Sequence, residues 1–154
     1  YIEKDWGTSF PSSWIWMQSN HFDEKGTSLT LSMAVIPWMG SSFTGFIIGL
    51  WYNNRLYRFC TYNRSRIKEL AYLSDRSVRI VLENPAYRLT VEGTKIGSTR
   101  LKAPVQGAME SHVDESLNSH IRVELQRRGG GPAESIFAGE GRHAGLEIHG
   151  RIRA

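Results

Sequence analysis

One cysteine, Cys60, is all the chain contains, so an internal disulfide and any multi-cysteine zinc site are excluded. Cys60 lies in a strand-like run and reads as a buried packing residue. No apolar run is long. Phe46 to Tyr52 is strand-sized, far below the roughly 18 residues that suggest a membrane span. No glycine-rich phosphate loop follows a strand, and no helical pattern alternates with strands, so nothing points to a nucleotide-binding α/β fold. The five histidines show no metal-site spacing; the nearest pair, His143 and His149, is six residues apart. Ser12, Ser13 and Ser19 have no nucleophile-elbow context. No cofactor and no metal is therefore expected. The net charge of +4 comes from arginines spread along the chain, with short clusters at Arg127-Arg128 and Arg151 to Arg153. That pattern reads as a solvated surface, and no nucleic-acid partner is expected. No secretory signal is visible. The sequence opens at Tyr1, inside an informative motif and without Met. It reads as a domain cut from a longer protein, with a cytoplasmic or membrane-peripheral location expected.

What is present is alternation. The 154 residues fit one domain with a real core. Period-two patterning recurs between turn signals. It marks Trp14 to Phe22, Ser28 to Ile36 (ended by Pro37), Thr44 to Tyr52, Leu56 to Tyr62 and Arg66 to Leu73. It continues through Val78 to Leu82, Tyr87 to Glu92, Ser98 to Lys102, His120 to Gln126, Ser135 to Ala138 and Leu146 to His149. Met39 to Phe43 reads as a loop, and Asn53-Asn54 as a hairpin turn. Nine to eleven short strands are predicted. Val105 to Asn118 is the only candidate helix or long loop, because Met109, Val113 and Leu117 are spaced by four and fit one helical face. Antiparallel strands in this number close into a barrel or pack as a sandwich, and a barrel is favoured.

The favour for a barrel comes from the amino end. Trp6, Trp14 and Trp16 fall close together beside Glu3, Lys4 and Asp5. Trp14, Trp16, Gln18 and Asn20 alternate with Ile15, Met17, Ser19 and His21, so one strand face carries two indoles and then two amides. Aromatic area with a few uncharged polar groups is what the wall of a ligand pocket needs. A hydrophobic small molecule is the expected partner. The alternative is that the indoles plug a barrel end, with their N–H groups satisfied by Gln18 or backbone.

Glu3-Lys4-Asp5-Trp6-Gly7, Phe10-Pro11 and Trp14-x-Trp16-x-Gln18 resemble the signature of the tocopherol cyclase family. In the plant enzymes of that family a Glu-Lys-Asn-Trp-Gly run leads into Phe-Pro and a Trp-rich strand at this spacing. Leu101-x-Ala103-Pro104 and Ala144-Gly145-Leu146-Glu147-Ile148 resemble later parts of the family more weakly. The resemblance spans most of the chain, but only the first twenty residues are specific. It implies a lipocalin-like architecture related to the carotenoid hydratases, and a place in the C-terminal part of a longer protein with an N-terminal domain as partner. It also implies a chemistry: a proton is added to an isoprenoid double bond, and the carbocation is trapped by a phenol oxygen or by water. Asp5 stands where the plant motif has Asn, and fold resemblance does not transfer substrate.

Protonating an alkene demands a carboxyl held neutral near pH 7, which burial and a neighbouring carboxylate provide. Glu3 and Asp5 share a strand face beside Trp6 and are the expected proton donors. Indole faces of Trp6, Trp14 and Trp16 suit a carbocation, and Gln18 or Asn20 suit a quinol hydroxyl. Three readings stand: a cofactor-free cyclase or isomerase, a binding module that sequesters an apolar ligand, and a structural half of a larger enzyme. Glu110, Asp114 and Glu115 read as a solvated face, and Lys4 as a surface partner of Glu3 or Asp5.

Overall fold

The structure, a computed structural model, describes residues 8–129 and 133–153. Among these it is all β, in eleven strands. They are β1 (Trp14–Ser19), β2 (His21–Phe22), β3 (Ser28–Trp38), β4 (Ser41–Tyr52), β5 (Arg55–Cys60), β6 (Arg66–Ser74), β7 (Ser77–Glu83), β8 (Tyr87–Thr94), β9 (Thr99–Val105), β10 (Ala108–Arg127) and β11 (Glu134–His149). All pairings are antiparallel, in the order β5-β4-β3-β1-β11-β10-β8-β7-β6; β2 joins β11 and β9 joins β10.

The expected barrel does not close. β5 and β6 are the two edges, and neither pairs with the other. Yet they are consecutive in sequence, joined by residues 61–65 alone. A chain that short spans at most about 20 Å, so the sheet wraps until its edges come near each other at that end. Asn63 braces the loop between them. Its side chain accepts from the Cys60 N–H at 3.0 Å and donates to the Arg58 carbonyl at 3.0 Å, so the end of β5 bonds to its own loop. Tyr57 of β5 meets Tyr87 of β8 edge-on at 5.2 Å across the wrap.

The interior is filled by side chains. Ile15 and Met17 of β1, Leu31 of β3, Ile48 of β4, Phe59 of β5, Ile80 of β7, Val91 of β8, Ile121 of β10 and Leu146 of β11 are all buried in one cluster. Each comes from the alternation predicted for its strand. Outside, β7 and β8 are laced by ion pairs, Arg79 with Glu92 and Arg88 with Glu83.

Two local expectations are corrected. Val105 to Asn118 holds neither helix nor long loop: β9 runs to Val105, Gln106 and Gly107 turn with φ of 49° and 86°, and β10 begins at Ala108. Spacing by four satisfies a strand as well as a helix, because four is an even number of residues. Such a two-residue turn with both φ positive fits the twist of the strands it joins. Met39 to Phe43 is likewise no loop. β3 continues through Pro37 to Trp38, and Met39 and Gly40 form a two-residue turn. The Asn53-Asn54 turn is as expected, with φ of 48° and 56°.

Ile121 is fully buried within the longest strand, β10. Ile121→Ala should lower the unfolding free energy by about 2–5 kcal/mol, read as a lower urea midpoint with an unchanged slope.

Candidate functional site

Trp14, Trp16 and Gln18 do share one face of β1, and it is not the face of the main core. Ile15 and Met17 between them fill that core. β1 lies between β3 and β11, and the register carries its other face across five strands. Ser32, Trp16, Glu147, Glu115 and Thr99 form one row from β3 through β1, β11 and β10 to β9. Beside this row a second cluster forms on the same side. Trp14, Ala103 and Val113 are buried in it, with Phe10, Trp16 and Ala34 packed against them.

Trp14 is 9% exposed. Its ring stacks on His149 with centroids 4.2 Å apart and planes at 16°, and Phe10 meets it edge-on at 5.6 Å. Its Nε1–H donates to Glu147 Oε2 at 2.6 Å. Trp16 lies over the β11 backbone: a Cβ on Gly145 would fall 2.6 Å from its Cζ3. Only glycine leaves the ring that position. Gln18 is half-buried opposite Gly145 and Thr30, whereas Asn20 falls between β1 and β2 and is exposed. The amide end of the predicted face is therefore shorter than alternation implied.

Glu115 faces Glu147 directly across the β10–β11 ladder. Carboxylates placed opposite each other repel. Burial first, and then the Glu147 charge, push the Glu115 carboxyl above its ordinary range, against the pull of Lys95. Lys95 is buried in the break between β8 and β9, where its Nζ donates to the Asp114 carbonyl at 2.5 Å. Burial lowers its pKa, and the charges of Asp114, Glu147 and Glu115 work the other way. A carboxyl whose pKa is raised, on a face shared with indoles, has the chemistry of a general acid toward an apolar partner.

The expected donors Glu3 and Asp5, and Trp6 with them, lie outside the described residues. Glu115 and Glu147 are the acidic pair that the described residues bring beside Trp14 and Trp16. Glu115 fell in the segment read as a solvated helix or loop. The strand pattern of β11 does place Glu147 and His149 opposite the apolar Leu146 and Ile148. Which strand would lie alongside is a long-range fact that spacing does not carry. Among the described residues, no group of three or more His, Cys, Asp or Glu side chains is placed to hold a metal ion, and no helix is long and apolar enough to cross a membrane.

The tocopherol cyclase-like family matches residues 1–150. A probable chloroplastic tocopherol cyclase of Oryza sativa subsp. japonica is 25% identical over 97% of this chain, and a chloroplastic tocopherol cyclase of Zea mays is 23% identical over the same share. The chain spans 33% of the length of each of these curated relatives. No solved structure matches it. With the match running through the tryptophan motif, the Glu115 strand and the Gly145–Glu147 strand alike, the chain belongs to the tocopherol cyclase-like family.

Proposed function

We propose that this chain binds a hydrophobic molecule, prenylated or polyene, along its indole face, and that it adds a proton to an alkene of that molecule. The observation that carries the reading is the row Trp16–Glu147–Glu115, in which a carboxyl pushed toward its protonated form shares a face with two indoles. The Glu115 proton goes to one alkene carbon, and the other becomes a tertiary cation. Indole faces stabilise such a cation by about 0.5–2 kcal/mol each without attacking it. A phenol oxygen of the same molecule then bonds to the cationic carbon and releases its proton, which returns to the carboxylate. The sum is a cyclisation with no change of composition and no oxidant. Gln18 orients the hydroxyl. Glu3 and Asp5, with Trp6, stay proposed as a second carboxyl pair of the same motif. Completion of the activity by an N-terminal domain is proposed from the greater length of the curated relatives.

Glu115→Gln should cut cyclisation of a prenylated quinol by roughly 10²–10⁴-fold, the usual worth of a general acid, while binding stays intact. Full turnover in Glu115→Gln, with loss in Glu3→Gln or Asp5→Asn, would transfer the role to the amino end. Binding with no turnover in any of the proteins would leave the sequestering module.

Trp16→Ala and Gly145→Val test the face itself. Quenching of indole fluorescence by a prenylquinone analogue should weaken roughly tenfold in each, about 1.4 kcal/mol of ring contact.

Glu115 also sets a pH dependence. Its folded pKa lies above its unfolded value. The stability it contributes is therefore complete below the ordinary carboxylate range and is lost as pH rises through the raised value. Turnover should fall over the same interval. Urea unfolding of Glu115→Gln should show this loss removed, with the variant gaining on the parent protein toward neutral pH.

A further inference from the structure

Residues 26–54 form a run of 29 positions without a single Asp, Glu, Lys or Arg. The chain as a whole is 22% charged, and this gap covers the whole of β3, β4 and both of their turns. Half of these side chains face outward. The outer face of β7 and β8 carries paired arginines and glutamates, whereas that of β3 and β4 carries Thr30, Ser32, Gly49 and the half-exposed Ile47.

Among the described residues the end of this hairpin stands free. β1 begins opposite Ala34, and β5 ends opposite Ile47. Among the described residues the pairs Ile36–Phe43, Pro37–Ser42 and Trp38–Ser41 therefore have no further strand beside them, and the ribbon projects by about 10 Å at 3.3 Å per residue. At its tip Trp38 is 63% exposed and Met39 89%, with Phe43 exposed below them. Pro37 sits where no ladder partner needs its missing N–H. The β9–β10 hairpin points the same way. Trp14 pairs with both Ala34 and His149, and Glu147 with Glu115, so β3 beyond residue 34 and β10 before residue 113 run past the same end of the sheet. That second tip exposes Val105 and Met109 and is uncharged from Ala103 to Met109.

We infer that these two hairpin tips dock the protein on a lipid bilayer, entering its headgroup layer from one end of the sheet. Trp with Met and Phe, carried on a narrow uncharged ribbon, is the composition that the membrane–water interface takes up. A protein partner of ordinary stability needs a continuous surface on the order of 1,000 Å² or more, and two separate turns, the second already bonded through the Gly107 N–H to the Thr8 carbonyl at 2.7 Å and the Gln106 N–H to Ser9 Oγ at 2.8 Å, do not offer one. The charge at the base is complementary to an anionic leaflet. Thr44 Oγ1 donates to the Arg153 carbonyl at 3.3 Å, so exposed Arg153 stands at the root of the first hairpin. Arg151 is close by in sequence, its guanidinium paired with Asp75 at 3.1 Å. The inference is independent of the proton chemistry above and would survive its failure.

The test is co-sedimentation of the full 154-residue chain with phosphatidylcholine vesicles containing phosphatidylglycerol. Binding is expected, and the double variant Trp38→Ser/Met39→Ser should weaken it roughly tenfold or more with an unchanged urea midpoint. Leu56→Ser removes a half-exposed apolar side chain from the far end of β4 and β5 and should bind as the parent protein does. Absence of binding, equal loss in Leu56→Ser, or retention in the double variant would overturn the inference. So would self-association that depends on Trp38 and proceeds without vesicles. Equal binding to pure phosphatidylcholine would overturn the part assigned to Arg153.

Discussion

β1 has a neighbour on each edge and a packed cluster on each face, and most of what this protein can do follows from that position. Ile15 and Met17 anchor it in the main core, while Trp14 and Trp16 anchor it in the second cluster on the other side. Because side chains alternate strictly along a strand, the two commitments fix the register against β3 and β11 at once. A slip by one residue would place indoles among Leu31, Ile48 and Leu146 and put Ile15 and Met17 against a glutamate. The row through Trp16, Glu147 and Glu115 exists only in the register observed.

The electrostatic consequence is a conflict placed where it can be used. Two carboxyls oppose each other on adjacent strands, and a buried lysine that would relieve them spends a hydrogen bond on a backbone carbonyl instead. Burial and repulsion together favour the protonated form of Glu115. Such an arrangement does not help folding at neutral pH, and perturbed carboxyls of this kind cluster at functional sites, which supports the proposed role of Glu115.

The amino-end motif was legible in the sequence, and so was the all-β architecture, because both rest on local period-two alternation. Asn53-Asn54 declared its turn. Met109, Val113 and Leu117 read as a helical stripe, and that reading hid the first half of β10, whereas its second half, His120 to Gln126, was predicted as a strand. The indole face was read correctly as a face. Its direction was not, since alternation states which residues share a side and not which side holds the core; there the fully aliphatic Ile15–Met17 set was the better guide. The pairing of Glu115 with Glu147 joins positions 32 residues apart through strand register, and no spacing rule reports that. The uncharged run over residues 26–54 was open to counting from the start, but its meaning depends on where β1 and β5 stop.

The central claim is that burial first, and then the charge of Glu147 across the ladder beside Trp14, raise the pKa of the Glu115 carboxyl. Titration of the Glu115 carboxyl carbon by NMR measures this directly. The account predicts a midpoint above the ordinary glutamate range in the parent protein and a lower one in Glu147→Gln. An ordinary midpoint that Glu147→Gln leaves unmoved would contradict it.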